Sequence, residues 1–129
     1  MAHIKVLIID DEKLLVKSTV MALGCYGFEA EGAADGPSGL EKAAAMRPGV
    51  ILLDVMMPGM DGWEVLKKLK ESPATKNIPV IVFTAKEYYN GRRMAAEQGA
   101  ADYIAKPFEL EELVALLKRH APEGGRHGQ

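Results

Sequence analysis

Asp54 closes an apolar run, Val50-Ile51-Leu52-Leu53, and precedes Met56-Met57-Pro58-Gly59, so a single carboxylate is delivered to the tip of a buried strand. Burying an unpaired carboxylate costs several kcal/mol, so it needs companions. The ends of other strand-like runs supply them: Asp10-Asp11, Thr84 and Lys106. Two carboxylates about 4 Å apart repel by roughly 4 kcal/mol at an effective dielectric near 20. A shared proton or a bound cation must offset this. A hard, oxygen-seeking ion that keeps several waters suits such a site, and Mg²⁺ fits that description.

Each residue has a simpler reading beside the chemical one. Asp10 or Asp11 could cap a helix starting near Lys13, but a cap needs one acid and the chain supplies two. Asp54 could serve as a turn residue; as a nucleophile it would accept a phosphoryl group as an acyl phosphate. Thr84 could cap the next helix, or its hydroxyl could donate to a phosphoryl oxygen and draw the following loop inward. Lys106 could be an ordinary surface lysine, or a point charge pairing first with a carboxylate and then with the transferred group. Pro107 restricts Lys106 to extended backbone and helps to aim it. Tyr103, three residues earlier on the same run, faces the opposite side of the sheet; it either packs at an edge or changes rotamer when Thr84 moves. Met56, Met57 and Met60 read as flexible packing around the loop.

The elements that must position these residues are legible as alternation. Strand-like runs occur at Lys5 to Ile9, Phe28 to Ala30, Val50 to Leu53, Pro79 to Phe83 and Asp102 to Ala105. Helix-period segments lie between them. Leu14, Ser18, Met21 and Cys25 form one stripe, Val65-Leu66-Leu69 another, and Leu110-Leu113-Val114-Leu117 a third. Weaker helices are expected over about Pro37 to Met46 and Asn90 to Gln98. Strands apolar on both faces, strictly alternating with helices, imply an α/β fold: a doubly wound, five-stranded parallel sheet covered on both sides. In that flavodoxin-like (βα)5 arrangement, of order 2-1-3-4-5, the first and third strands are neighbours. Ligands then gather at the strands' carboxyl ends.

The 129 residues fit one domain with one core. Residues 1–121 are expected to form it. Residues 122–129 lack apolar anchors and read as a flexible tail, or equally as the start of a severed linker. The single cysteine, Cys25, excludes an internal disulfide and is expected to fill core. A net charge of −2 with scattered basic residues argues against direct nucleic-acid binding. No export signal or membrane-inserting stretch is evident, which points to the cytoplasm.

These residues, in this order, closely resemble the receiver domain of two-component response regulators, including the single-domain chemotaxis regulators. The motifs are Ile8-Ile9-Asp10-Asp11-Glu12, Leu53 to Gly62, Phe83-Thr84-Ala85, and Asp102 to Phe108, and the match spans about residues 4 to 120. The resemblance implies a signalling switch with self-catalysed phosphorylation and dephosphorylation, taking phosphate from a histidine kinase or histidine phosphotransfer protein onto Asp54. Asp10, Asp11, Asp54 and the backbone carbonyl of Met56 would hold Mg²⁺, or Mn²⁺ in its place. Thr84 and Tyr103 would be the switch pair and Lys106 the phosphate contact, with a cis bond before Pro107. Met56 and Lys86 would set the phosphoryl lifetime. The output surface would be the fourth helix, fifth strand and fifth helix, presented to a downstream protein. Gly99-Ala100-Ala101-Asp102 has alanine where many DNA-binding relatives carry a second acid, and Ala115 sits in a stretch where they often carry arginine; both changes remove charges such relatives use to dimerise, which puts that dimer in doubt.

Two rival classes are weaker. An aspartyl-nucleophile phosphatase wants a second acid two residues after its nucleophile, and position 56 is methionine. Flavin binding on the same topology needs a phosphate-accepting loop where Asp10-Asp11-Glu12 would repel one.

Overall fold

A computed structural model of the chain describes residues 3–57, 59, 61–85 and 90–121. Five strands alternate with five helices: β1 (Ile4–Ile9), α1 (Lys13–Gly24), β2 (Phe28–Ala33), α2 (Gly36–Met46), β3 (Val50–Leu53), α3 (Gly62–Glu71), β4 (Val80–Ala85), α4 (Gly91–Glu97), β5 (Asp102–Lys106) and α5 (Leu110–His120). The strands are all parallel, in the order β2-β1-β3-β4-β5. This is the doubly wound, flavodoxin-like sheet that two-sided apolar strands predict.

Alternation along each strand sorts its side chains into two cores. Leu7, Ile9, Ile51, Leu53, Val80 and Val82 face a cluster completed by Ala43 of α2, Val65, Leu66 and Leu69 of α3, and Ala95 of α4. Val6, Ile8, Val50, Leu52, Ile81 and Phe83 face the other, completed by Leu23 of α1 and Leu113, Val114 and Leu117 of α5. Fully burying each such side chain is worth about 1.5–3 kcal/mol. The strands at the centre are therefore the most rigid part of the fold. Their carboxyl ends carry the candidate site.

Two expectations are corrected. The buried side of α1 is not the stripe of Leu14, Ser18, Met21 and Cys25; Leu14 is 83% exposed and Met21 67% exposed. Thr19 and Leu23 are buried instead, with Leu15, Val16 and Val20 packed against the core. The segment Leu14-Leu15-Val16 through Val20-Met21-Ala22-Leu23 is apolar nearly all round, so periodicity leaves the helix's rotation undetermined. The side richer in core-filling Leu and Val turns inward. Cys25 is exposed rather than core-filling, because α1 ends at Gly24 and Cys25 is its cap, with its N–H bonded to the Ala22 carbonyl.

The end of the sheet opposite the site is tied by Asp102. Its Oδ2 lies 2.9 Å from His120 Nε2 and 3.5 Å from Arg119 Nη1, and its Oδ1 accepts from the Tyr103 N–H at 2.9 Å. Burial works to raise this carboxyl, but the bonds from His120 and the Tyr103 amide, with the charges of His120 and Arg119, outweigh it and hold it below its ordinary value. A depressed carboxyl contributes stability above its unfolded value of 3.8, and that contribution is lost as pH falls through the folded one. Asp102→Asn is therefore expected to cost about 1 kcal/mol near neutral pH and almost nothing near pH ~2. Denaturant unfolding at both pH values would check this; an equal cost at each would contradict it.

Candidate functional site

Parallel pairing of β1 with β3 places their last residues, Ile9 and Leu53, side by side. The next residues, Asp10 and Asp54, therefore emerge together, with the Asp54 N–H bonded to the Ile9 carbonyl at 3.0 Å. Both carboxylates are buried. Each is anchored in the same way: Asp10 Oδ1 accepts from the Glu12 N–H at 3.0 Å, and Asp54 Oδ1 from the Met56 N–H at 2.9 Å. One oxygen of each acid is thus held by the local backbone, and the other, Oδ2, is turned toward Lys106.

Lys106, the last residue of β5, fills the space between them. Its Nζ donates to Glu12 Oε1 at 2.7 Å, Asp10 Oδ2 at 2.8 Å and Asp54 Oδ2 at 3.2 Å. It also lies 4.7 Å from the centre of the Phe83 ring, whose face supplies further attraction for a cation. Burial alone would lower the Lys106 ammonium, but the bonds to Asp10 and Glu12 and the charges of Asp54 and Asp10 raise it well above the ordinary lysine range. It stays charged at every physiological pH. The Lys106-Pro107 bond is cis.

Burial dominates at Asp10 and pushes its carboxyl up to about 6 from 3.8, against the pull of the Lys106 bond, the Glu12 amide and the Lys106 charge; the neighbouring Asp54 charge adds to the push. An acid raised on folding destabilises the fold once ionised, so this stability is full below the unfolded value and is lost as pH climbs through the folded one. One lysine does not satisfy the cluster. Asp10, Glu12 and Asp54 each offer a carboxylate oxygen within 4.8 Å of the others, an all-oxygen donor set that suits a hard divalent cation.

Asp11 is exposed and lines the same cleft. The third acid of the close cluster is Glu12, a ligand candidate beyond those expected from the sequence. Its position two residues after Asp10, at the turn into α1, was the available signal. The cleft has a volume of about 1070 Å³, and Met56, Thr84 and Lys106 also line it. Met56 is half exposed and Met57 is buried. Lys86, Pro58 and Met60 lie outside the described residues.

Thr84 is the penultimate residue of β4 and fully buried, yet its Oγ1 has no hydrogen-bond partner among the described residues. An unsatisfied buried hydroxyl costs about 1–3 kcal/mol. Because Thr84 lines the cleft that Asp54 opens into, a ligand oxygen placed there would satisfy it. Thr84→Val is thus expected to stabilise the unliganded protein by about 1 kcal/mol, since it removes the orphan while keeping the shape. Chemical denaturation would measure this; a loss of stability would show that the hydroxyl is already satisfied. Tyr103 points into the opposite core, as alternation from Lys106 requires.

The loop after Asp54 is shaped by Gly62. A Cβ there would lie 2.2 Å from Val55 Cα and 2.7 Å from the Asp54 carbonyl oxygen, so only glycine lets α3 begin against the site. Asp61 caps that helix, accepting from the Trp63 N–H at 3.2 Å.

Fold and site together define a doubly wound α/β protein whose acids, hydroxyl and lysine meet at the carboxyl ends of β1, β3, β4 and β5. Residues 6–118 match the family model described as response regulator receiver domain, and the chain belongs to that family. A receiver domain is the phosphoacceptor unit of a two-component system. It is 42% identical over 114 residues to "Response regulator PleD" of Caulobacter vibrioides, covering 88% of this chain and 25% of that protein. Over 126 residues it is 37% identical to "Response regulator MprA" of Mycolicibacterium vanbaalenii, covering 95% and 54% respectively. The chain thus spans between a quarter and about half of these curated relatives. Among solved structures, chemotaxis protein CheY4 of Vibrio cholerae superposes with a TM-score of 0.85 at 34% identity, covering 92% of this chain and 99% of that one. A putative response regulator from Chloroflexus aurantiacus gives 0.85 at 33%, covering 92% and 97%.

Proposed function

We propose that Asp54 accepts the phosphoryl group, that Mg²⁺ (or Mn²⁺) assists, and that Thr84, Tyr103 and Lys106 convert the product into a change of the α4-β5-α5 surface. The observation that carries this reading is the convergence of three groups on one cleft. Asp54 lines it, the buried Thr84 hydroxyl lacks an acceptor among the described residues, and Lys106 bridges three acids. Asp10, Asp11, Asp54 and the Met56 carbonyl would hold the metal, which when bound neutralises charge on the transferring oxygens.

In the transfer, Asp54 Oδ2 forms a bond to phosphorus while the donor imidazole's N–P bond breaks and its electron pair returns to that nitrogen. Lys106 moves from the carboxylates to the new phosphoryl oxygens, and the Thr84 hydroxyl donates to another. The added anion carries about −1.5 to −2 charge, so Lys106 and Thr84 gain a stronger partner than any they have at rest. Attack of water on phosphorus later releases inorganic phosphate. Met56, half exposed beside Asp54, and Lys86 would set that rate.

The kinase or phosphotransfer donor, a protein target on α4, β5 and α5 without direct nucleic-acid contact, and a cytoplasmic setting belong to the same reading. No helix among the described residues is long and apolar enough to cross a membrane. Residues 1–121 are taken as the receiver unit; 122–129, expected as a tail, lie outside the described residues. The test is incubation with acetyl phosphate and Mg²⁺, reading hydroxylamine-labile phosphoryl incorporation. The expected result is labelling that a chelator abolishes; labelling indifferent to chelation would remove the metal from the account.

A further inference from the structure

The fully buried residues of α4 are Gly91 and Ala95, one turn apart and both minimal in size, with Met94 partly buried beside them. The ring of Tyr103, from the neighbouring strand β5, packs into the space they leave and is itself buried. A Cβ on residue 91 would stand 2.8 Å from the Tyr103 hydroxyl oxygen, 2.9 Å from Cε2 and 3.1 Å from Cζ. These are the far atoms of a side chain that can rotate away, so a larger residue would move Tyr103 rather than the backbone. On the outer side, the exposed Arg92 holds its guanidinium carbon 5.1 Å from the ring centre, within cation–π range. Asn90 enters the helix with φ of 58°, a left-handed conformation that asparagine tolerates better than most residues.

We infer that Gly91 and Arg92 are positioning residues that set the Tyr103 rotamer: Gly91 leaves the slot and Arg92 closes it, so the ring is buried before any phosphoryl group arrives. The inference rests on the reading of Tyr103 as part of the switch, but as the fixed wall against which α4 is set and not as a side chain that changes rotamer. It adds that burial of this tyrosine is built into α4 and does not wait for Asp54. Phosphorylation should then change the setting of Tyr103 less than a single methyl at residue 91 does.

Full-length protein labelled with fluorotyrosine tests this by fluorine NMR, the Tyr103 signal being identified by its loss in Tyr103→Phe. In wild type the signal should lack the solvent isotope shift of a free tyrosine, and acetyl phosphate with Mg²⁺ should leave it so. In Gly91→Ala it should acquire that shift while acetyl phosphate labelling is retained; in Arg92→Ala it should acquire part of it. A Tyr103 signal unchanged by Gly91→Ala would overturn the inference, as would a wild-type signal that becomes buried only on phosphorylation. A thermal cycle guards against general destabilisation: Gly91→Ala should lower Tm in the wild-type background but not beside Tyr103→Ala, and an equal loss in both would also overturn it. If the Tyr103 signal moves in Gly91→Ala while acetyl phosphate labels no variant, the phosphoacceptor reading fails and the positioning role stands.

Discussion

Lys106→Met is expected to destabilise the metal-free protein by about 3 kcal/mol at neutral pH, the usual cost of leaving a buried ion-pair partner uncompensated. Lys106 is the one cation within bonding distance of Asp10, Glu12 and Asp54 among the described residues. Without it, carboxylate oxygens within 4.8 Å of one another repel by roughly 3 kcal/mol per pair at an effective dielectric near 20. Two consequences follow from the same charge count. Mg²⁺ should bind more tightly to the variant, by about tenfold, because a competing positive charge has left the site. Saturating Mg²⁺ should also restore most of the lost stability. Phosphoryl uptake should nevertheless fall by about a hundredfold, since the metal does not replace a donor aimed at the transferring oxygens. Unfolding with and without Mg²⁺, alongside acetyl phosphate labelling, reads all three. A variant that is less stable yet binds Mg²⁺ more weakly would show that Lys106 organises the acids rather than competing for them.

Asp10→Asn is expected to have the opposite pattern. Asparagine keeps the oxygen that accepts the Glu12 N–H and removes a carboxylate whose burial is not fully compensated, as its raised value of about 6 shows. The metal-free variant should therefore be at least as stable as wild type at pH ~8, above the folded value, where the ionised form is otherwise imposed. Its Mg²⁺ affinity should drop by about a hundredfold, with phosphoryl uptake falling in parallel, because a neutral amide is a poor substitute for a charged ligand of a hard cation. A gain in stability together with a loss of function is the pattern of a site held in place at the expense of the fold. Isothermal titration with Mg²⁺ checks the affinity; unchanged binding would mean that the metal relies on Asp11, Glu12 and Asp54 without Asp10.

Much of this was legible in the chain because its signals are redundant. The runs ending at Ile9, Leu53, Phe83 and Ala105 are apolar on both faces, which admits little except a covered parallel sheet. In such a sheet the residues just past or at the strand ends must meet. Asp10, Asp54, Thr84 and Lys106 are thus brought together by the strand pattern alone. The rotation of α1 was not legible, since Leu14 and Met21 are as apolar as Leu15 and Leu23 and only packing against Val6 and Ile8 distinguishes them. Glu12 escaped notice because its place depends on how far Lys106 reaches across the cleft. The slot at Gly91 depends on the approach of α4 to β5, which no periodicity records.

The central claim is that Asp54 carries the phosphoryl group, and intact-mass measurement of wild type and Asp54→Asn after incubation with Mg²⁺ and acetyl phosphate tests it most directly. Asparagine preserves the shape of the side chain and removes its nucleophilic charge. The predicted result is one labile phosphoryl adduct on the wild type and none on the variant. An adduct of equal yield on Asp54→Asn, or none on a folded wild type that binds Mg²⁺, would contradict it.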